Sequence, residues 1–101
     1  MTVEKILDQL RAYAEQGIKH VTDTAGREVE SILDPEESIR YAVVGMTEDD
    51  GIEIDEIIRQ LEKCKQDKLL ITDIGIDIVG IKYECLIEPT AVLVNNREVR
   101  A

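Results

Sequence analysis

Residues 39–67, IRYAVVGMTEDDGIEIDEIIRQLEKCKQD, decide the fold class of this chain. The first eight of them predict a strand with two apolar faces, one carrying Ile39, Tyr41 and Val43 and the other Ala42, Val44 and Met46. A strand that is apolar on both faces is typical of the centre of a sheet or of an interface. This strand is therefore expected to be covered on both sides.

A turn over 47–51 follows the strand, and the apolar residues then return at helical spacing. The apolar stripe consists of Ile54, Ile57, Ile58, Leu61 and Cys64. Acids stand in its first turn and lysines at its end, which complements the helix dipole. The pattern predicts a helix over 54–67.

The segment before this unit predicts two more helices. Val3, Ile6, Leu7, Leu10 and Ala14 form an amphipathic stripe over 2–16, with Thr2 as N-cap and Gly17 in the C-cap position. A second helix is predicted over 24–33, ending at Asp34, because the residue before Pro35 avoids helical geometry. Residues 18–23 fit either a helix or a short strand.

The remainder of the chain predicts strands over 69–72, 76–79, 81–88 and 90–94, with a turn or chain end at 95–97. Within the longest of them, alternation places Ile81, Tyr83, Cys85 and Ile87 inward and Lys82, Glu84 and Glu88 outward. The expected architecture is a single α+β domain over 1–101, with about three helices on a mainly antiparallel sheet of about four strands.

The composition predicts an aliphatic core. Of the 101 residues, 44% are hydrophobic, yet there is no Phe or Trp and there are three Tyr. A chain of this length has difficulty covering both sides of a sheet, and oligomerisation is a common way for small domains to gain burial. We therefore expect a homodimer.

The net charge of −10 lies in one part of the chain. Residues 28–58 contain a single base, Arg40, against eleven acids: Glu28, Glu30, Asp34, Glu36, Glu37, Glu48, Asp49, Asp50, Glu53, Asp55 and Glu56. Acids and bases balance in the rest of the chain. Such a field repels nucleic acid phosphates, so direct DNA or RNA binding is not expected.

No segment has the run of apolar residues that a membrane span needs, and the first ten residues lack the pattern of a signal peptide. A cytoplasmic location is expected. Cys64 and Cys85 form no metal-binding motif, and they are predicted to be reduced and partly buried, with a disulfide between them as the alternative.

Two segments resemble ligand-binding loops but lack residues that those loops require. Aligning Gly51 with the glycine of a calcium-binding loop puts Met46 and Ile57 at positions that require acids. In the segment from Gly75 to Gly80, Ile81 takes the place of the lysine of a phosphate-binding loop. Neither a metal nor a cofactor is predicted.

Catalytic residues are equally sparse. His20 is the one histidine, and it is the one imidazole that could activate Cys64 or Cys85. The alternative of a small enzyme or ligand-binding protein would rest on His20, Tyr83, Asp73 and Asp77 converging in a pocket. We expect a protein that is not an enzyme.

The favoured hypothesis is an interaction module that binds a basic protein surface, in its narrowest form an inhibitor that mimics nucleic acid. A second hypothesis is a structural dimer whose acidity serves solubility alone. The predicted partner-binding patch consists of eight acids: Glu36, Glu37, Glu48, Asp49, Asp50, Glu53, Asp55 and Glu56.

Overall fold

The computed structural model describes residues 1–36, 39–85 and 87–95, and this part of the chain forms two helices and a six-stranded mixed sheet. The α+β class is confirmed, but the predicted three helices and four strands become two and six. The helices are α1 (Val3–Glu15) and α2 (Ile54–Glu62). The strands are β1 (His20–Asp23), β2 (Glu28–Leu33), β3 (Tyr41–Thr47), β4 (Leu69–Thr72), β5 (Ile78–Cys85) and β6 (Pro89–Asn95).

The strands lie in the order β4-β3-β2-β1-β6-β5. Three neighbouring pairs are antiparallel, namely β1 with β2, β2 with β3 and β5 with β6. The other two, β3 with β4 and β1 with β6, are parallel. The sheet is therefore mixed rather than mainly antiparallel. The β3–β4 pair is parallel because α2 is a crossover helix, which returns the chain to start β4 beside the start of β3, and the β1–β6 pair joins strands that are distant in sequence.

The helix predicted over 24–33 is wrong, because residues 28–33 form β2. Val29 and Ile32 both contact the core although three positions separate them, a spacing that suggested a helix. The pairing of β2 with β3 shifts register between Val29 and Ser31, and the extra residue of this bulge returns Ile32 to the core face. The bulge in β2 therefore gives its core-facing residues, Val29 and Ile32, the spacing that is typical of a helix.

Residues 18–23, which fitted either a helix or a strand, contain β1. A tight turn joins β1 to β2, with Gly26 at φ +83°. The Asp23 carboxylate fixes this turn, because it accepts hydrogen bonds from the backbone N–H groups of Ala25 (3.0 Å) and Arg27 (2.9 Å) and from the Arg27 guanidinium (2.9 Å).

The first predicted helix is confirmed as α1, with the Thr2 hydroxyl accepting from the Lys5 N–H at 3.3 Å and Gly17 at φ +87° after the helix. The second observed helix, α2, begins at Ile54 as predicted and ends at Glu62 rather than at 67. The Gln66 amide donates to the carbonyls of Leu61 (3.2 Å) and Cys64 (2.9 Å), so it satisfies groups at the end of α2 that a longer helix would bond.

Both helices pack on one face of the sheet and enclose an aliphatic core. Its fully buried side chains include Val3, Ile6, Leu10, Val21, Val29, Val44, Ile57, Leu61, Leu70 and Ile78. The opposite face, called the open face below, carries the alternate residues of each strand, such as Thr22 on β1 and Thr90 on β6. No helix in the described part of the chain is long and apolar enough to span a membrane.

The second apolar face of β3 belongs to this open face. Tyr41 and Val43 are half-buried there, and Leu33, which pairs with Val43 on the neighbouring strand, is 60% exposed. The apolar pattern on both sides of β3 is thus observed, but the residues that the structure describes bury only one side. The homodimer stays a prediction.

The predicted alternation in β5 is only partly correct. Ile81 packs against the core as expected, whereas Tyr83 and Cys85 are exposed, as is Ile87. Strand β5 is at the edge of the sheet, and its residues in contact with the core are Ile78 and Ile81, in its first half. Tyr83 and Cys85 lie in its second half, and Ile87 lies in the turn after it. At the chain end, Asn95 is the last residue of β6, and residues 96 and 97 fall outside the described residues.

The two edges of the sheet differ. At the β4 edge, Leu70 donates to the Met1 carbonyl at 3.0 Å, Thr2 forms a bridge with Leu69, and Asp77 forms a bridge with Ile71. Because Asp77 directly precedes β5, this second bridge shows that the sheet curls around the helices. The β4 edge is covered by these contacts.

Candidate partner-binding groove

The loop between β3 and α2 carries most of the predicted patch. Glu48, Asp49 and Asp50 are exposed, and the backbone N–H of Asp49 donates to the Thr47 hydroxyl at 3.1 Å. That bond begins the loop as soon as β3 ends. The three carboxylates point into solvent and none of them forms an ion pair within the described residues.

Gly51 fixes this loop against the sheet. A Cβ atom at Gly51 would lie 2.4 Å from the Val29 carbonyl oxygen and 2.7 Å from the Glu28 Cβ, so only glycine fits without a shift of the backbone. Next to it, the N–H of Ile52 donates to the Val29 carbonyl and the N–H of Ile54 to the Lys19 carbonyl, both at 2.9 Å. The loop therefore lies between β2 and the residue before β1, hydrogen-bonded to both.

The start of α2 adds more acids. Glu53 is the N-cap residue, although its side chain makes no capping hydrogen bond, and Asp55 and Glu56 lie in the first turn. Carboxylates in this position are stabilised by the positive end of the helix dipole. Glu56 also pairs with Arg59 at 3.4 Å, one turn later.

These elements enclose a groove of about 340 Å³ on the open face of the sheet. We call it the acidic groove, and it is lined by His20, Thr22, Glu28, Asp50, Gly51, Glu53, Glu88 and Thr90. A neighbouring depression of about 290 Å³ shares Thr22, Glu88 and Thr90 with it and is bordered by Glu84. Carboxylates from five separate places in the chain thus lie along one face.

Only part of this charge is compensated. His20 lies 3.4 Å from Glu88, and Lys82 pairs with Glu84 at 3.1 Å. In the described part of the chain, Glu28, Asp50 and Glu53 have no ion-pair partner. The wall formed by β2, the loop and the N-cap of α2 is the uncompensated side of the groove.

Of the eight acids in the predicted patch, six lie together on the loop and the first turn of α2: Glu48, Asp49, Asp50, Glu53, Asp55 and Glu56. Glu36 lies at the opposite end of β3, and the length of this seven-residue strand separates it from the others by roughly 20 Å. Glu37 lies outside the described residues. The predicted patch is therefore divided between the two ends of β3.

Sequence reasoning missed Glu28, Glu84 and Glu88 as members of one surface. The parallel pairing of β1 with β6, which sets His20 opposite Thr90, brings the end of the chain beside β1. Glu84 and Glu88 had been predicted to point outward, and that signal was correct. Only the strand order could place them beside Glu28 and the loop.

Asp34, an acid of the 28–58 segment, lies before β3 and is bound by a lysine. The Asp34 carboxylate bonds the ammonium group of Lys68, which is buried, and accepts from the backbone N–H of Lys65 at 2.9 Å. Lys68 also donates to the carbonyls of Pro35 (3.0 Å) and Glu36 (3.1 Å). The hydrogen bond from Lys68, helped by the one from Lys65, holds the pKa of Asp34 below its ordinary value of 3.8.

The residues of the enzyme alternative do not converge. His20 lines the acidic groove, but Tyr83 pairs with Ala91 on the opposite face of the sheet. Asp73 accepts from the Met46 N–H at 3.3 Å in the turn after β4, three strands away from β1, and Asp77 bridges to β4. Within the described residues, no three His, Cys, Asp or Glu side chains are arranged to hold a metal ion.

Both cysteines are free thiols, as predicted, although Cys85 is exposed rather than partly buried. The Cys64 thiol is buried and donates to the Gln60 carbonyl at 3.4 Å. Burial, followed by the nearby Asp34 carboxylate, raises the pKa of Cys64 and disfavours its reactive thiolate. Cys64 is thus a core residue.

A further cavity, of about 330 Å³, opens between the β1–β2 turn and the turn after β4. Met46, Ile74, Ile76, Ile78 and Leu93 contribute its apolar wall. Its polar groups bond one another, since Asp23 pairs with Arg27 at 2.9 Å and the Thr72 hydroxyl accepts from the Ile76 N–H at 3.2 Å. These groups maintain the turns.

No protein-family model, curated protein or solved structure matches this chain. The acidic groove is therefore the feature from which a function can be inferred.

Proposed function

We propose that this protein is a non-enzymatic interaction module whose acidic groove binds a basic segment of another protein. The observation that carries the proposal is the convergence of Glu28, Asp50 and Glu53 from a strand, a loop and a helix N-cap. Within the described residues, none of these three carboxylates has an ion-pair partner. Unpaired carboxylates in a concave site attract cationic groups and speed their encounter.

The chemistry of the groove suits arginine or lysine side chains. Its carboxylates accept hydrogen bonds from cationic side chains, and the hydroxyls of Thr22 and Thr90 also line it. The close approach of Gly51 and the backbone hydrogen bonds of Ile52 and Ile54 hold the backbone that carries Asp50 and Glu53 against β2 and the residue before β1. A site that is organised before binding loses less entropy on complex formation.

The narrower form of the proposal is that the groove occupies a nucleic-acid-binding surface of its partner. In that form, the partner binds either this protein or a nucleic acid, and the two compete. The proposed location is the cytoplasm, where the exposed thiol of Cys85 stays reduced.

The test uses a defined cationic probe, a fluorescent peptide of alternating Arg and Lys residues, titrated with wild-type protein and with E28Q/D50N/E53Q. Three lost charge contacts are expected to weaken binding by at least about tenfold, at ~0.5–1 kcal/mol each. Added salt should weaken wild-type binding more steeply than binding of the variant.

The matched control is E4Q/E15Q/D67N, which removes the same charge from exposed positions outside the groove. If the control weakens binding as much as the groove variant does, binding follows net charge alone and the groove proposal fails. That result would favour the alternative in which acidity serves solubility.

A further inference from the structure

The outer edge of β5 is the longest unpaired strand edge of the described chain. Strand β5 has eight residues, and its inner side pairs with β6 along its length. On its outer side, the N-terminal ammonium group of Met1 donates to the Ile78 carbonyl at 2.7 Å. Beyond Ile78, no described segment bonds the backbone of this edge.

Natural sheets cover, shorten or charge their edges, because unpaired N–H and C=O groups recruit another strand. The β4 edge follows this rule, since it is short and covered by residues 1, 2 and 77. The β5 edge instead exposes large apolar side chains, with Tyr83 at 51% and Val79 at 39%, and Ile87 in the turn after β5 is 99% exposed. Val79 and Ile87 stand four positions before and after Tyr83.

The charges of β5 are arranged symmetrically around the same residue. Lys82 and Glu84 flank Tyr83 and face the open side of the sheet, opposite Val92 and Thr90 of β6. When two copies of a strand pair antiparallel about a two-fold axis through Tyr83, Lys82 lies opposite the partner's Glu84. The dimer then contains two such pairs of opposite charges, each formed between the two copies.

We propose that two copies of this chain pair antiparallel along β5, with Tyr83 at the two-fold axis, to form one continuous sheet. Ile81 then lies opposite the partner's Cys85, and the exposed apolar groups are covered. Moving the axis to Lys82 would place lysine opposite lysine, and moving it to Ile81 would leave Glu84 opposite an apolar residue. The charge pattern thus selects one register.

This inference does not rest on the function proposed above, because β5 contributes no residue to the lining of the acidic groove. A two-fold axis perpendicular to the sheet puts the open faces of both copies on the same side. The dimer therefore presents two acidic grooves side by side.

The first experiment measures molar mass by size-exclusion chromatography with light scattering, from about 1 to about 100 µM protein. Wild type is expected to be a dimer in this range. The variant K82E sets one carboxylate against another at both charge pairs, and it is expected to dissociate at least about tenfold more readily. The double reversal K82E/E84K restores opposite charges and should restore the dimer.

The matched control is R59E, which reverses an exposed ion-pair residue on α2 and should leave the mass unchanged. Lys82 and Glu84 are both about half-exposed, so their substitution leaves the core intact; far-ultraviolet circular dichroism verifies this. A single chain at all concentrations overturns the proposal. So does a dimer that K82E does not weaken, or that K82E/E84K does not restore.

The second experiment tests the register by mild oxidation of Y83C/C85S, in which the new thiol lies opposite its counterpart. We expect a disulfide-linked dimer. The control is I74C/C85S, whose thiol is equally accessible, because Ile74 is 64% exposed in the turn after β4. Equal rates of cross-linking in the two variants would contradict pairing at Tyr83.

Discussion

Acidic residues lie at both ends of β3, but at one end the carboxylate is bound by a buried lysine and at the other the carboxylates are unpaired among the described residues. Before β3, Asp34 is bound to Lys68, whose side chain is only 4% exposed, and the pair joins the loop after β2 to the loop before β4. After β3, Asp50 and Glu53 line a groove and have no cationic partner among the described residues. The same residue type stabilises the fold at one end and leaves free charge at the other.

The comparison shows why charge density alone does not locate a binding surface. All of these acids lie in residues 28–58, where the sequence concentrates the net charge. Only the position of one lysine outside that segment, Lys68, separates the stabilising acid from the unpaired ones. Each variant below acts on one of the two ends.

The largest expected effect comes from Lys68→Met, which keeps the apolar stem and removes the ammonium group. The carboxylate of Asp34 and the carbonyls of Pro35 and Glu36 then lose their donor. Lys68 is buried but the Asp34 side chain is 23% exposed, so losing these hydrogen bonds to a charged group should cost about 2–3 kcal/mol of the free energy of unfolding, measured by urea denaturation. Lys63→Met, at an exposed position, is the control, and an equal loss in both variants would refute the buried role of Lys68.

A smaller effect is expected for Asp34→Asn, with a dependence on pH. Because the pKa of Asp34 is lowered in the folded state, its ionised form stabilises the fold above the ordinary value of 3.8. At pH 7 the variant should lose about 1–2 kcal/mol, the value of a hydrogen bond to a charged group. This difference from wild type should shrink as pH falls below 3.8, through the lowered folded-state pKa.

The measurement is a series of urea denaturations from about pH 7 down to about pH 2.5, which crosses the ordinary value of 3.8 and continues in the direction of the lowered pKa of Asp34. Asp67→Asn, an exposed acid in the loop before β4, is the matched control. A difference between wild type and Asp34→Asn that stays constant across this range, or that grows toward low pH, would contradict the assignment.

The smallest effect, and the opposite sign, is expected at the groove. Replacing Glu28 and Asp50 by Gln and Asn relieves repulsion between unpaired carboxylates, so E28Q/D50N should be more stable by about 0.5 kcal/mol at low salt. The gain should vanish at about 0.5 M salt, where the charges are screened. Thermal unfolding at both salt concentrations tests this, and a loss of stability would mean that these acids support the fold.

Sequence patterns correctly predicted the helix ends that depend on contacts between residues close together in the chain. Thr2 and Gly17 marked the ends of α1, and the stripe beginning at Ile54 marked the start of α2, because caps and amphipathic spacing act within one element. The bulge near Ser31 was not predictable, since its extra residue gave β2 the spacing of a helix. The end of α2 depends on Gln66 and on Asp34, which is distant in sequence.

The part of the acidic groove that is local in sequence was predicted, and the rest was not. The loop acids and those at the start of α2 are neighbours in sequence, so a count of charges found them. Glu28 and Glu88 join them only through the order of β2, β1 and β6. Strand order follows from the packing of the whole sheet, and the turn residues of a single chain do not specify it.

The pairing of β1 with β6 has a consequence for how the chain acquires its structure. His20 pairs with Thr90, so the centre of the sheet is completed by residues from opposite ends of the sequence. Contacts of such long range slow folding, because a long loop must close before they contribute. During synthesis, β1 stays unpaired on this side until β6 has left the ribosome, and the acidic groove cannot form before that point.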